Sequence, residues 1–322
     1  MSFNVAPLPS QSAFGAVVTQ LSPHSLDDPI TRKALYDLWI DKGMIVFQGS
    51  TALDSQLKLS DIFGQPEIHP LLVGIDRPRE HKFIADIEYD QTDGDLYEVD
   101  GELRGGWLPW HFDLAYVDRI NHGGILRPDV LPARGGETGF IDRIAAYATL
   151  PRTLQERIEP LNVIYKYKID SSKAKFGQRP DKCIRLSSKG QMAEQHPSVQ
   201  CRVIHPLVYT QAETGRKVLN ISPWFAEGIE GMETPDGDQL LEEIVSYAIQ
   251  PNLAYYHRWQ PHDMVLWDNW RMLHCARGVP PGEVRRMRRT TIAGDYALGR
   301  REVKQATPAE VRSSLSTSGQ VL

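Results

Sequence analysis

Long apolar runs are missing from this 322-residue chain. No stretch approaches the roughly 18 consecutive apolar residues of a membrane-spanning helix, so no membrane partner is expected. Cysteine is scarce: Cys183, Cys201 and Cys275 are an odd number without close spacing, which excludes a disulfide scaffold and a Cys-rich zinc site. Positive charge is not in excess. With 36 Lys+Arg against 41 Asp+Glu the net charge is −5, and nothing draws the chain as a whole towards nucleic acid. A P-loop is absent, as is a G-x-G-x-x-G following a strand, so nucleotide-cofactor chemistry is unsupported. The opening MSFNVAPLPSQSAFG has neither the basic nor the apolar region of a secretory signal, and a cytoplasmic protein is expected. What remains, 41% hydrophobic and 24% charged residues, is an ordinary globular composition.

Residues 1–12 are Pro/Ser-rich and read as a loose lead-in, and 13–300 as a single domain. Residues 301–322 lose apolar patterning and read as a partly disordered tail. Leu35, Leu38 and Trp39, with Ile30, recur at helical spacing over 26–43, and Gly43 is placed to end that helix. A buried strand is expected over 44–49 and a second helix over 53–63. The acidic stretch 88–106 reads as a solvated loop, of a length that also suits a lid. Short β-type runs follow between 163 and 225, then a helix over 234–249 and late strands over 264–269 and 290–296. Many short strands with helices at the edges point to a sandwich or jelly roll.

Two of the ten histidines stand out. In W-H-F-D, His111 and Asp113 lie two apart, so on extended chain their side chains share a face and can grip one metal ion. His274, in W-D-N-W-R-M-L-H, can supply a third ligand. Two His and one carboxylate on one face of a metal leave adjacent positions open, the arrangement of non-haem Fe(II) oxygenases. In R-R-M-R-R, Arg285 and Arg289 share a strand face and suit carboxylate recognition, while Arg286 and Arg288 alternate outward. His122, His205 and His262 read as structural, and Cys275, adjacent to His274, has no partner for nucleophilic chemistry.

The ordered set His111-x-Asp113, Gly135-Gly136-Glu137-Thr138, His274, Arg285 and Arg289 resembles the taurine dioxygenase and 2,4-dichlorophenoxyacetate dioxygenase family of Fe(II)/2-oxoglutarate-dependent oxygenases. The threonine follows the first His by 27 residues, and the arginines follow His274 by 11 and 15. The segments F-G-Q-P-E-I-H-P, I-H-P-L-V, G-R-K-V-L and R-W-Q-P-H-D-M-V-L-W-D-N are similar to the family too. The resemblance implies a mainly β chain with peripheral helices, folded as a double-stranded β-helix (a cupin-like jelly roll). It implies His111, Asp113 and His274 as iron ligands, with 2-oxoglutarate and O2 as cosubstrates. It implies Thr138 and Arg285 on the distal carboxylate of 2-oxoglutarate, and Arg289 on an anionic group of the small-molecule substrate. His69 and Phe225 match pocket-lining positions. Leu72 stands where the taurine enzyme has a tyrosine, and Gly106, Trp107 and Leu108 stand where it has an asparagine. Taurine therefore does not fit, and Leu72, Trp107, Leu108 and Phe225 favour an anionic substrate with an apolar body. A homodimer or homotetramer is a family-level expectation. A divalent-metal hydrolase or isomerase of cupin type, or a non-catalytic binding protein, would also use the three ligands but gives no reason for the Thr138 and Arg285 pair.

Overall fold

A computed structural model describes residues 3–9, 12–49, 53–69 and 81–302. The chain is mainly β, with helices at the periphery. Asp28 caps the helix Pro29–Lys42 by accepting the Ile30 and Thr31 N–H groups, and Gly43 ends it. Leu35 and Trp39 are buried, whereas Ile30, in the first turn, points out at 80% exposure. The chain then enters Met44–Gln48, and the helix Leu53–Phe63 follows.

The larger sheet runs Asn4–Pro7, Ala16–Thr19, Met44–Gln48, Asp263–Asp268, Gly123–Val130, Arg285–Ile292. Ile84–Tyr89 and Pro66–Glu67 both pair with the last of these. The two helices cover one face of this sheet, where Trp39, Leu59 and Phe63 meet Ile125, Leu266 and Ile292. On its other face Leu126, Val265, Trp267 and Met287 share an apolar layer with Phe140, Tyr255, Trp259 and Met272. Those residues belong to or flank a smaller sheet, ordered Tyr255–His257, Thr138–Asp142, Met272–Ala276, Leu108–His111. A third sheet (Ala226–Ile229, Asn162–Tyr165, Val203–Pro206, Arg300–Arg301) and the helix Pro235–Ala248 close the far side around the largest core cluster. Among the described residues no helix is long and apolar enough to cross a membrane.

Three expectations change. Residues 4–7 of the lead-in form an edge strand, because Ala16–Thr19 supplies the hydrogen-bonding partner that composition does not reveal. The acidic stretch is a folded hairpin, Leu96–Val99 against Glu102–Gly105, with Lys182–Arg185 alongside. Asp100 (φ 53°) and Gly101 (φ 75°) make its turn, a Asp-Gly signal masked by the surrounding charge. Arg300–Arg301 pairs with Val203 and Ile204, while the rest of the expected tail, 303–322, lies outside the described residues.

Candidate active site

Register brings the metal candidates together. His274 pairs with His111 on one side and with Phe140 on the other, so the three side chains form a row across the smaller sheet. A bulge between His274 and Ala276 sets Leu108 opposite Ala276, in the next row with Thr138. Leu108 thus returns to the face that carries His111. Asp113 follows the strand end and completes the cluster.

The donor atoms of His111, Asp113 and His274 all lie within 4.8 Å of one another. His111 Nε2 is 3.8 Å from Asp113 Oδ1, and His274 Nε2 is 3.5 Å from Asp113 Oδ2. Adjacent donors on one first-row ion are separated by about 3–4 Å, so the set fits a single metal. His111 Nδ1 is held 2.7 Å from the Pro109 carbonyl, which turns Nε2 towards the cluster. Burial, and then the neighbouring His274, push the His111 ring down to about 3, so it is the neutral imidazole that a metal requires. Burial alone would raise the Asp113 carboxyl, but Arg289, then His274, outweigh it and hold the group well below the usual carboxylate range.

Arg289 reaches the same place. Its Nη2 lies 2.8 Å from Asp113 Oδ2, yet no N–H is aligned on the carboxylate. Asp113 Oδ2, Arg289 Nε and Arg289 Nη2 are all buried without a hydrogen bond, and the guanidinium lies 5.2 Å from the Trp267 ring centroid. Buried polar groups of this kind ordinarily have partners. Met287 is buried between Arg285 and Arg289, while Arg286 and Arg288 turn out to Asp129 and Asp86 as the alternation requires.

Arg285 sits over the glycine turn. Its Nε donates to the Gly136 carbonyl at 3.2 Å and its Nη2 to Thr138 Oγ1 at 3.4 Å. Gly136 has φ 81°, and a Cβ there would lie 3.1 Å from Arg285 Cδ, so glycine serves both the turn and the close approach. Burial, partly offset by Glu137, lowers the Arg285 guanidinium to about 10.

Phe225 lies 5.9 Å from His111, stacks on Trp224 and Tyr167, and meets Tyr116 edge-on at 4.9 Å. His69 is partly buried, and burial with the nearby Arg289 pushes its ring down to about 4. Trp107, expected in the pocket, packs its ring with Tyr97 and Val99 in a separate small cluster. Leu72 lies outside the described residues. His122 stacks on Trp270 at 3.6 Å and His205 binds the Val117 carbonyl, both structural. Cys275 is buried on the opposite face, its thiol pushed up to about 12 by burial.

Sequence reasoning passed over Trp224, Tyr116, Tyr167 and Asn269. Asn269 accepts the Asp113 N–H at 2.8 Å and donates to its carbonyl at 3.0 Å, fixing the ligand's backbone. Its place in W-D-N, a polar residue at the end of an apolar strand, was the available signal. The aromatic residues carry no local signal, since they meet only through tertiary contact.

Known proteins resemble this chain along most of its length. The family model described as Taurine catabolism dioxygenase TauD, TfdA family matches residues 4–291. The (S)-phenoxypropionate/alpha-ketoglutarate-dioxygenase of Sphingobium herbicidovorans is 31% identical over 92% of this chain and 96% of its own. The alpha-ketoglutarate-dependent 2,4-dichlorophenoxyacetate dioxygenase of Cupriavidus pinatubonensis is 32% identical over 80% of this chain and 87% of its own. A putative alpha-ketoglutarate dependent 2,4-D dioxygenase from Burkholderia xenovorans superposes with a TM-score of 0.65 at 25% identity, over 91% of this chain and 98% of its own. Matched along nearly its whole described length, the chain belongs to the Taurine catabolism dioxygenase TauD, TfdA family and is an Fe(II)- and 2-oxoglutarate-dependent dioxygenase.

Proposed function

We propose that this enzyme hydroxylates a small organic anion, a carboxylate or sulfonate with an apolar body. His111, Asp113 and His274 would hold Fe(II), and Thr138 with Arg285 would hold the distal carboxylate of 2-oxoglutarate. When bound, iron with 2-oxoglutarate and O2 supplies the oxidising power, with release of succinate and CO2 and transfer of one oxygen atom to the substrate. The chain's own part is positioning. The Pro109 carbonyl and the Asn269 amide orient two of the ligands, and the Phe225 and Trp224 rings, beside His111, limit water around it. A cation on Asp113 would neutralise the partner that Arg289 now faces, leaving the guanidinium to pair with a substrate anion. Leu108 and Phe225 offer apolar contact, and His69 a hydrogen bond. In the same reading the two facing sheets are a double-stranded β-helix, 13–300 form one domain, and the enzyme is a cytoplasmic homodimer or homotetramer.

The buried convergence of His111, Asp113 and His274 beside Arg289 carries this reading. Its test is an anaerobic titration of the Fe(II)- and 2-oxoglutarate-loaded protein with a library of acids and their neutral esters, followed by absorption. Acids should perturb the spectrum at concentrations where their esters do not, and Arg289→Ala should erase most of that difference. Esters that bind and are oxidised as well as the acids would make the pocket merely hydrophobic.

A further inference from the structure

The hydroxyl of Thr138 is met by two groups that can only donate. Trp259 Nε1 lies 3.0 Å from Thr138 Oγ1, and Arg285 Nη2 lies 3.4 Å from it. An indole N–H and a guanidinium have no lone pair to offer, whereas a hydroxyl has two acceptor positions and one proton. Both acceptor positions are taken. The proton is left for a third group, which has to be an acceptor.

We infer that Trp259 is a positioning residue for the cosubstrate: its indole N–H fixes Thr138 as a donor, so that Thr138 and Arg285 together select a carboxylate over an amide. The inference rests on the reading of Thr138 and Arg285 as the 2-oxoglutarate anchor. It extends that anchor to a residue 121 positions from Thr138 in sequence. Two donors converging on Oγ1 also polarise the hydroxyl and strengthen the bond it gives. An amide nitrogen placed there would bring its own N–H groups against donors on both sides.

Trp259 is itself held in place. It is buried, and its ring meets His257 edge-on at 4.7 Å. His257 Nε2 lies 3.0 Å from Asp263 Oδ2, and its Nδ1 lies 3.1 Å from the Tyr255 hydroxyl. Asp263 Oδ2 also accepts the Gln260 N–H. Strand pairing sets His257 directly beside Thr138. The series Asp263, His257, Trp259 leads to the anchor without touching the metal ligands, so its effect is separable from theirs.

The experiment measures calorimetrically how the Mn(II)-loaded protein binds 2-oxoglutarate and its 5-amide. The informative variant carries β-(3-benzothienyl)alanine at position 259, which replaces the indole N–H by sulfur and keeps the ring shape. Trp259→Phe is the simpler companion, and should it fail to fold the isostere still decides. Loss of the N–H should weaken 2-oxoglutarate roughly five- to tenfold, weaken the amide less, and so narrow the discrimination between them. Thr138→Val in the isostere background should add nearly nothing to that loss, because both changes remove one coupled unit. Wild-type affinity and discrimination in the isostere, or full multiplication of the two effects, would overturn the inference. Arg285→Gln separates the two levels. If it leaves 2-oxoglutarate binding intact, the anchor itself is wrong and the inference falls with it. If it weakens binding while the isostere does not, the inference alone fails.

Discussion

Two buried guanidinium groups, Arg271 and Arg289, are treated in opposite ways by the same fold. Arg271 grips Asp142 through Nε at 2.9 Å and Nη2 at 2.7 Å, and its Nη1 donates to the Ile40 and Asp41 carbonyls. Its neighbour Arg143 is as completely engaged, by Asn220 Oδ1 and the Asn269 and Arg271 carbonyls. Arg289, shielded at 6% exposure, leaves Nε and Nη2 without a hydrogen bond and faces a carboxylate oxygen, Asp113 Oδ2, that also lacks one. In Arg271 and Arg143 every guanidinium nitrogen donates a hydrogen bond, while in Arg289 two nitrogens are left over. The two sites are joined by Asn269, whose carbonyl is held by Arg143 and whose side chain holds Asp113.

The largest expected effect falls on the satisfied side. Arg271→Met strands a buried Asp142 and should cost about 3–5 kcal/mol of stability, measured by urea unfolding of the metal-free protein. A loss below about 1 kcal/mol would break the comparison. Next, Arg285→Gln should weaken 2-oxoglutarate by about 10- to 150-fold, from a charge-assisted contact worth about 1.5–3 kcal/mol, with metal affinity unchanged. Equal loss of metal affinity would make Arg285 architectural like Arg271.

The pH dependence of stability is a smaller effect per pH unit for each ring, and its sign is fixed. Burial pushes His122 down to about 3, and burial chiefly pushes His205 down to about 4. Below the ordinary histidine value near 6.5 the unfolded chain takes up protons that these folded rings refuse. Stability should therefore hold above about pH 6.5 and fall between there and pH 4, by up to about 1.4 kcal/mol per pH unit for each ring. His122→Phe should make the slope shallower, as unfolding midpoints at several pH values will show. Smallest is Arg289→Gln in the Mn(II)-loaded protein: a change of about 1 kcal/mol or less, towards greater stability, since an underpartnered buried cation is removed. A loss as large as that of Arg271→Met would show that Arg289 is architectural after all.

What could be read from sequence follows the same division. His111, His274, Arg285 and Arg289 were legible because each sits on a strand whose period of two fixes which side chains share a face, whereas Asp113 lies two residues beyond its strand end and Thr138 was named only by the resemblance of Gly135-Gly136-Glu137-Thr138. Leu108 comes to lie opposite Ala276 only through a bulge that pairing, not pattern, supplies. Trp107 could not be placed, since a tryptophan fills a satellite core or a pocket with equal ease, and the Tyr97 partner that decides lies in a stretch whose acidity hid its hairpin. Asn269, Trp259 and the aromatic group of Tyr116, Tyr167, Trp224 and Phe225 act across long sequence separations, where no local periodicity reports contact. The helices 29–42 and 235–248 were plain from apolar spacing, whereas the first strand depended on a partner nine to fifteen residues away.

The central claim is that His111, Asp113 and His274 serve one ion. Anaerobic calorimetry of Fe(II) binding to the wild type and to His111→Ala, Asp113→Ala and His274→Ala tests it directly. One strong site should be found in the wild type, and each variant should lose roughly a hundredfold or more in affinity together with 2-oxoglutarate turnover. An Asp113→Ala protein that binds Fe(II) as tightly as the wild type and still oxidises substrate would contradict the account.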